Sequence, residues 1–261
     1  MIPKIIHYCW FGGNPLPELA MKCIESWRTY FPDYEIKECN EDNFDVNIIP
    51  YTKEAYENKK YAFVSDYARF WILYNHGGIY FDTDVEVIKK MDDIIEKGSF
   101  MGCEKKVTKD SSPRDLGINP GLGLGSSAGH PLLKELIDAY ANIHFCINGV
   151  LNQKTIVEYT TELLCRHGLK VTNDIQECAG IYIYPKDFFC PLSLDKNKED
   201  FTDNTCSIHH YMASWANKNI IVRLYKFIKY KILFKLIPSA VIKKIVEKKR
   251  TRRESNLGID D

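Results

Sequence analysis

Two aspartates separated by one residue, Asp82 and Asp84, carry the sharpest chemical signal in the chain. In an extended segment, side chains two apart leave the backbone on the same side, so both carboxylates enter one volume of space. Two charges that close repel unless something neutralises them. A divalent cation does so, and hard carboxylate oxygens suit Mg²⁺ or Mn²⁺. Such a cation still accepts phosphate oxygens from a ligand and stabilises charge developing on a leaving diphosphate. The plainer reading of so short a motif is a solvated acidic turn; the apolar floor of Tyr80 and Phe81 just before it argues for a lined site. Asp66 and Arg69 form a second pair. Three apart on a helix, they share a face with Ser65 close by, in an otherwise apolar and aromatic stretch. They either line a ligand site or make an ordinary helix ion pair worth a few tenths of a kcal/mol.

Other chemistry-bearing residues read less sharply. His7, inside an apolar run, reads as a satisfied buried histidine. Cys206, His209 and His210 lack a fourth zinc ligand. The stretch "NPGLGLGSS" has neither the Lys-Ser/Thr ending of a phosphate-cradling loop nor the GxGxxG spacing.

The elements that must position these groups follow from periodicity. Residues 5–10 read as a buried strand opening into "FGG", and residues 17–31 as a helix with Leu19, Cys23, Trp27 and Phe31 on one face. A second strand covers residues 34–39. Residues 52–75 read as one helix, with Phe63, Tyr67, Phe70 and Tyr74 at helical spacing and Gly77-Gly78 as its terminator. "IYFDTDVEV" then reads as a central strand bearing the two aspartates at its end. Residues 105–130 read as a loop, 131–144 and 155–168 as helices, and 181–184 as a strand stopped by Pro185. Strand–helix alternation of this kind points to an α/β sandwich.

The formal net charge of zero conceals an uneven distribution. Residues 218–261 hold 13 of the 35 Lys and Arg but only four acids, which leaves 22 bases and 31 acids in residues 1–217. An acidic body argues against a nucleic-acid partner. The basic tail mixes Lys and Arg with Ile221, Leu224, Tyr225, Ile228, Ile232 and Leu236 at helical spacing, the pattern of an amphipathic helix on an anionic membrane surface. Nine cysteines without a CxxC pair do not form a disulfide scaffold and suit a reducing compartment. The N-terminal run lacks a basic leader, and no run of 18 apolar residues suggests a spanning helix.

The stretch "YAFVSDYARFWILYNHGGIYFDTDVEV", with "IPKIIHYCWFGG" before it and "HHYMASW" after it, resembles the DxD-containing sugar transferases related to yeast α-1,6-mannosyltransferase and bacterial capsular polysaccharide transferases. It is similar, more distantly, to the glucosyltransferase domains of large clostridial toxins. The resemblance covers residues 1–217. It implies a GT-A type nucleotide-sugar-binding sandwich, Mn²⁺ or Mg²⁺, and transfer with retention of anomeric configuration, the leaving phosphate accepting the acceptor's proton on the same face. It implies that Trp10 borders the nucleotide base and that Asp66 and Arg69 contact the donor sugar. Asp82 would hydrogen-bond ribose or sugar and touch the metal through water, and Asp84 would be the main direct ligand. His210, ahead of His209, would be a late metal or diphosphate contact, with Ser214 and Trp215 closing over the diphosphate. Asn119 would reach the transferred sugar from the glycine-rich loop, where Gly121 allows close backbone approach.

The expected activity is therefore transfer of a hexose or N-acetylhexosamine from a nucleotide sugar, a UDP-sugar ahead of GDP-mannose, to a saccharide or lipid-linked acceptor. The expected setting is surface polysaccharide synthesis at the cytoplasmic face of the inner membrane. Nucleotide-sugar hydrolysis, nucleotidyl transfer and inactive carbohydrate binding are the rival readings.

Overall fold

The computed structural model describes residues 1–192 and 200–212. The basic tail expected from residue 218 onward lies outside the described residues.

Strand β1 (Ile5–Cys9) lies between β2 (Glu35–Cys39) and β3 (Gly78–Tyr80), parallel to both. The sheet continues through β7 (Leu124–Ser126), antiparallel to β3, to β5 (Phe100–Cys103), then β11 (Ile181–Tyr184) and β10 (Gln176–Cys178), while β6 (Ile118–Asn119) also pairs with β5. A separate two-stranded sheet joins β4 (Val85–Val87) antiparallel to β12 (Ser207–His209). A small hairpin joins β8 (Cys146–Ile147) to β9 (Val150–Leu151).

Alternation along the strands builds a core on each face of the main sheet. Cys9, Met101, Cys103 and Ile183 pack with α3 (Tyr61–His76), α5 (Pro131–Ala141) and α6 (Ile156–Arg166). Ile6, Tyr8, Phe100 and Tyr184 pack on the other face with α1 (Glu18–Tyr30) and α7 (Lys186–Phe189). Two further helices among the described residues are α2 (Pro50–Glu57) and α4 (Asp92–Lys97). The protein is thus a mixed sheet flanked by helices. Among the described residues no helix is long and apolar enough to cross a membrane.

Two expectations are corrected. The single helix over 52–75 is two helices, because α2 ends in a left-handed turn at Lys59 (φ 56°). The Lys60 N–H reaches the Ala55 carbonyl at 2.8 Å and the Lys59 N–H the Tyr56 carbonyl at 2.8 Å, the paired bonds that close a helix end. Glycine usually occupies such a position; a lysine there leaves no punctuation in the sequence. The expected loop over 105–130 contains β6 and β7, and β7 runs through the middle of the sheet. Its glycines make room for bulk: a Cβ at Gly125 would lie 2.2 Å from the Phe100 ring.

Candidate active site

The site is built where β3 ends. Helix α3 is buried around most of its circumference, so Asp66 and Arg69 are carried into the interior rather than out to solvent. Arg69 is 3% exposed. Its Nε donates to the Ser65 carbonyl at 3.1 Å and its Nη2 to Asp66 at 2.9 Å, and the guanidinium lies 4.7 Å over the Tyr80 ring. Its Nη1 is 3.2 Å from an Asp82 oxygen but poorly aligned for a hydrogen bond, leaving a buried donor charge-paired without a bond. Burial pushes the Asp66 carboxyl up to about 7 against the pull of Arg69, and the Asp82 charge adds to the push.

Asp82 is fixed from three sides. Its N–H donates to the Gly121 carbonyl at 3.0 Å, the Tyr80 hydroxyl donates to its carboxylate at 3.0 Å, and Arg69 stands beside it. The two aspartates do not share an extended strand. A turn closed by the Val85 N–H on the Asp82 carbonyl, at 3.0 Å, brings them together and sends β4 away to pair with β12. Helix α1 anchors that departure: Trp27 donates to the Val85 carbonyl at 2.8 Å and Ser26 accepts from the Val87 N–H at 2.9 Å.

Pairing of β4 with β12 puts Val85 opposite His209 and brings that imidazole to the aspartates. His209 Nε2 lies 3.2 Å from Asp84, and the Met212 N–H donates to the other Asp84 oxygen at 2.7 Å. Burial alone would raise the Asp84 carboxyl; His209 and the Met212 N–H outweigh it and hold the group down at about 2. Burial would likewise lower the His209 imidazole, but Asp84, with smaller help from Asp82 and Glu104, raises it to about 9. One ligand atom from each of Asp82, Asp84 and His209 lies within 4.8 Å of the others. The His209 Nδ1 is buried without a hydrogen-bond partner. Two carboxylates and an imidazole make a donor set that fits Mn²⁺ or Mg²⁺.

Residues 17–101 match the family described as the glycosyltransferase sugar-binding region containing a DXD motif. The chain is 30% identical over 236 residues to an uncharacterized glycosyltransferase of Acanthamoeba polyphaga mimivirus, covering 83% of this chain and 84% of that one. The chain belongs to the DXD-containing glycosyltransferases. It is also 29% identical over 140 residues to inositol phosphoceramide mannosyltransferase 3 of Schizosaccharomyces pombe, covering 52% of this chain and 36% of that longer one. Among solved structures, the PaToxG glycosyltransferase aligns at 17% identity with a TM-score of 0.45, covering 63% of this chain and 69% of its own.

In this glycosyltransferase the late histidine at the aspartates is His209, not the preferred His210. Neighbouring side chains on a strand face opposite ways. His210 therefore turns from the pair: its Nε2 meets Glu86 at 2.9 Å, and its N–H donates to the Asp84 carbonyl at 2.9 Å. Asn119 is buried, with both ends of its amide engaged inside the protein: Nδ2 donates to Glu104 at 2.7 Å and Oδ1 accepts from the Gly121 N–H at 2.7 Å. Gly121 is the close approach, since a Cβ there would sit 2.0 Å from an Asp82 oxygen. Trp10, half-buried, follows β1, and because β1 and β3 are parallel it stands at the same end of the sheet as Asp82. Its indole N–H donates to the Asn14 carbonyl at 2.5 Å. Ser214 and Trp215 lie outside the described residues. The Tyr80 hydroxyl and the Met212 N–H were not marked by sequence; the Tyr80–Asp82 spacing of two held the only signal for either.

Proposed function

We propose that this glycosyltransferase moves a hexose or N-acetylhexosamine from a nucleotide diphosphate sugar to a saccharide acceptor, with retention, on a GT-A type sandwich. The convergence of Asp82, Asp84 and His209 beside the buried Arg69 carries the reading. Asp82, Asp84 and His209 would hold a divalent cation, which would supply positive charge to a departing diphosphate. Arg69, locked by Asp66 and Ser65, sets a fixed positive charge beside Asp82 and so holds that carboxylate for the donor. Asp66, which anchors the Arg69 guanidinium at 2.9 Å, is assigned to a hydroxyl of the donor sugar. Trp10 is assigned to the base, Ser214 and Trp215 to the diphosphate. Asn119 is assigned to the sugar side of the site, where it fixes Gly121 against Asp82.

A UDP-sugar is the first donor expected. GDP-mannose is the second, because the names of the fungal relatives pair mannosyl transfer with an inositol phosphoceramide acceptor. Those names also favour a lipid-linked acceptor here, which suits the basic residues 218–261 acting at an anionic membrane surface. The chain spans about a third of those two relatives.

Calorimetric titration with UDP-glucose, UDP-galactose, their N-acetyl forms and GDP-mannose, with and without Mn²⁺, tests the proposal. One donor should bind in the presence of the metal, and Asp84→Ala should weaken that binding at least tenfold to a hundredfold. Equal donor binding by wild type and Asp84→Ala sinks the metal-site reading. Release of free sugar without an acceptor product would make the protein a hydrolase, and sugar 1-phosphate release with pyrophosphate a nucleotidyltransferase.

A further inference from the structure

Glu104, the residue after β5, has no part in the chemistry set out so far. Its backbone is fixed by its N–H on the Gly117 carbonyl at 2.8 Å. Its carboxylate accepts from Asn119 Nδ2 at 2.7 Å; the same amide accepts the Gly121 N–H at 2.7 Å; the Gly121 carbonyl accepts the Asp82 N–H at 3.0 Å. A continuous run of hydrogen bonds thus leads from Glu104 to the backbone of the first motif aspartate. At its far end the Gly121 Cα lies so close to the Asp82 carboxylate and to Arg69 that only a hydrogen fits on it.

The residue type matters as much as the distance. An asparagine amide has a donor end and an acceptor end, and the two orientations differ by a half-turn. A backbone N–H at Gly121 demands the oxygen. A carboxylate only accepts, so Glu104 demands the NH₂. Both demands select the same orientation, and no water-like or hydroxyl partner, able to give or take, would enforce it. A half-turn of the amide would set nitrogen against N–H at Gly121 and oxygen against carboxylate at Glu104. Asn119 is 6% exposed and its bond to Gly121 is buried, so solvent does not relieve the clash at that end.

We propose that Glu104 is a positioning residue of the transferase: it locks the Asn119 amide, which holds Gly121 against Asp82 and so sets the cation and donor geometry. The inference rests on the transferase reading of the Asp82–Asp84–His209 cluster.

The test uses the full chain with Glu104→Leu and Glu104→Gln, reading Mn²⁺ affinity by electron paramagnetic resonance, kcat/KM, thermal melting, and hydrogen exchange at the Gly121 N–H without metal. Glu104→Leu should raise the Mn²⁺ Kd and lower kcat/KM by about 10- to 100-fold, the usual effect of losing a partner that orients a ligand. It should also speed Gly121 exchange. Glu104→Gln, whose carbonyl oxygen can accept the same bond, should recover most of both. Asn119→Ala combined with Glu104→Leu should lose no more than Asn119→Ala alone, because both changes cut one path. Wild-type Mn²⁺ affinity and exchange in Glu104→Leu overturn the inference, as do additive losses in the double variant or a Gln variant as impaired as Leu. If Glu104→Leu melts out of range, Glu104→Ala takes its place, and unchanged Gly121 exchange in that variant overturns the inference. Absence of metal-dependent donor binding in the wild type removes the function reading and this inference together; wild-type binding with an unaltered Glu104→Leu removes this inference alone.

Discussion

A single methyl group at position 121 should disable the site while sparing the fold. In Gly121→Ala the new Cβ would stand 2.0 Å from Asp82 Oδ2, 2.8 Å from its Cγ and 3.0 Å from Arg69 Nη1. Ordinary contact begins at 3.4 Å, so the carboxylate must retreat by about 1.4 Å, the difference of those two distances. Arg69 cannot yield in its place, because Asp66 and Ser65 hold it and Tyr80 lies beneath it. The retreat carries Asp82 away from Asp84 and His209. A misplacement of about 1 Å costs roughly 100-fold in rate, or about 2.7 kcal/mol of transition-state stabilisation. Overpacking costs stability of about 1–3 kcal/mol. Gly129→Ala is the control: its φ of +72° makes a side chain strained, but nothing lies within 4 Å. It should lose about 1–2 kcal/mol of stability and keep its turnover. The assay is kcat/KM at saturating Mn²⁺ together with the Mn²⁺ Kd and a melting curve for each variant. Gly121→Ala with kcat/KM and Kd within threefold of wild type would refute the reasoning, since the backbone would then have absorbed the clash without moving Asp82.

The two adjacent histidines should separate cleanly. His209→Ala should weaken Mn²⁺ binding about 10- to 100-fold, whereas His210→Ala should cost stability of about 1–3 kcal/mol through the lost bond to Glu86, which keeps its Lys22 ion pair, and change the Mn²⁺ Kd by less than threefold; the reverse ranking in metal titrations would contradict the assigned faces. His7 supplies a pH dependence remote from the metal cluster. Burial lowers its imidazole to about 4, so between about 6.5 and 4 the unfolded chain binds a proton that the native protein does not. Stability should therefore fall as pH falls through that window, by about 3 kcal/mol in all. In His7→Gln, which can still donate to the Gly77 carbonyl, urea unfolding at pH 6.5 and pH 4.5 should show a smaller drop; an equal drop would exclude His7 as its source.

The sheet and most helices were legible because each is amphipathic or bounded by glycine and proline. Strands at 5–10, 34–39 and 181–184 and helices at 17–31, 131–144 and 155–168 appear with boundaries shifted by a few residues. What escaped was geometry that no periodicity encodes. Lys59 closes α2 in the place where glycine would have announced an end. β7 hides in a glycine-rich run because its bulk is supplied by Phe81 and Phe100 from neighbouring segments. The acidic pair was visible, but its convergence through a turn was not, since an alternating pattern suggests extension. Choosing between His209 and His210 required the register of β12 against β4, a pairing between residues more than a hundred apart.

That last pairing makes the site depend on a segment far along the chain from its two aspartates. Every strand of the eight-stranded sheet lies before residue 185, yet the cluster lacks its imidazole until the segment at 207–209 returns to β4. About 120 residues separate the two strands, and closing so long a loop is slow to be rewarded. A cation gripped by Asp82, Asp84 and His209 would fasten that returning segment to the sheet, adding its binding free energy to the last contacts made. The metal would then serve as a latch as well as a reagent, and its affinity would report whether the chain had finished folding.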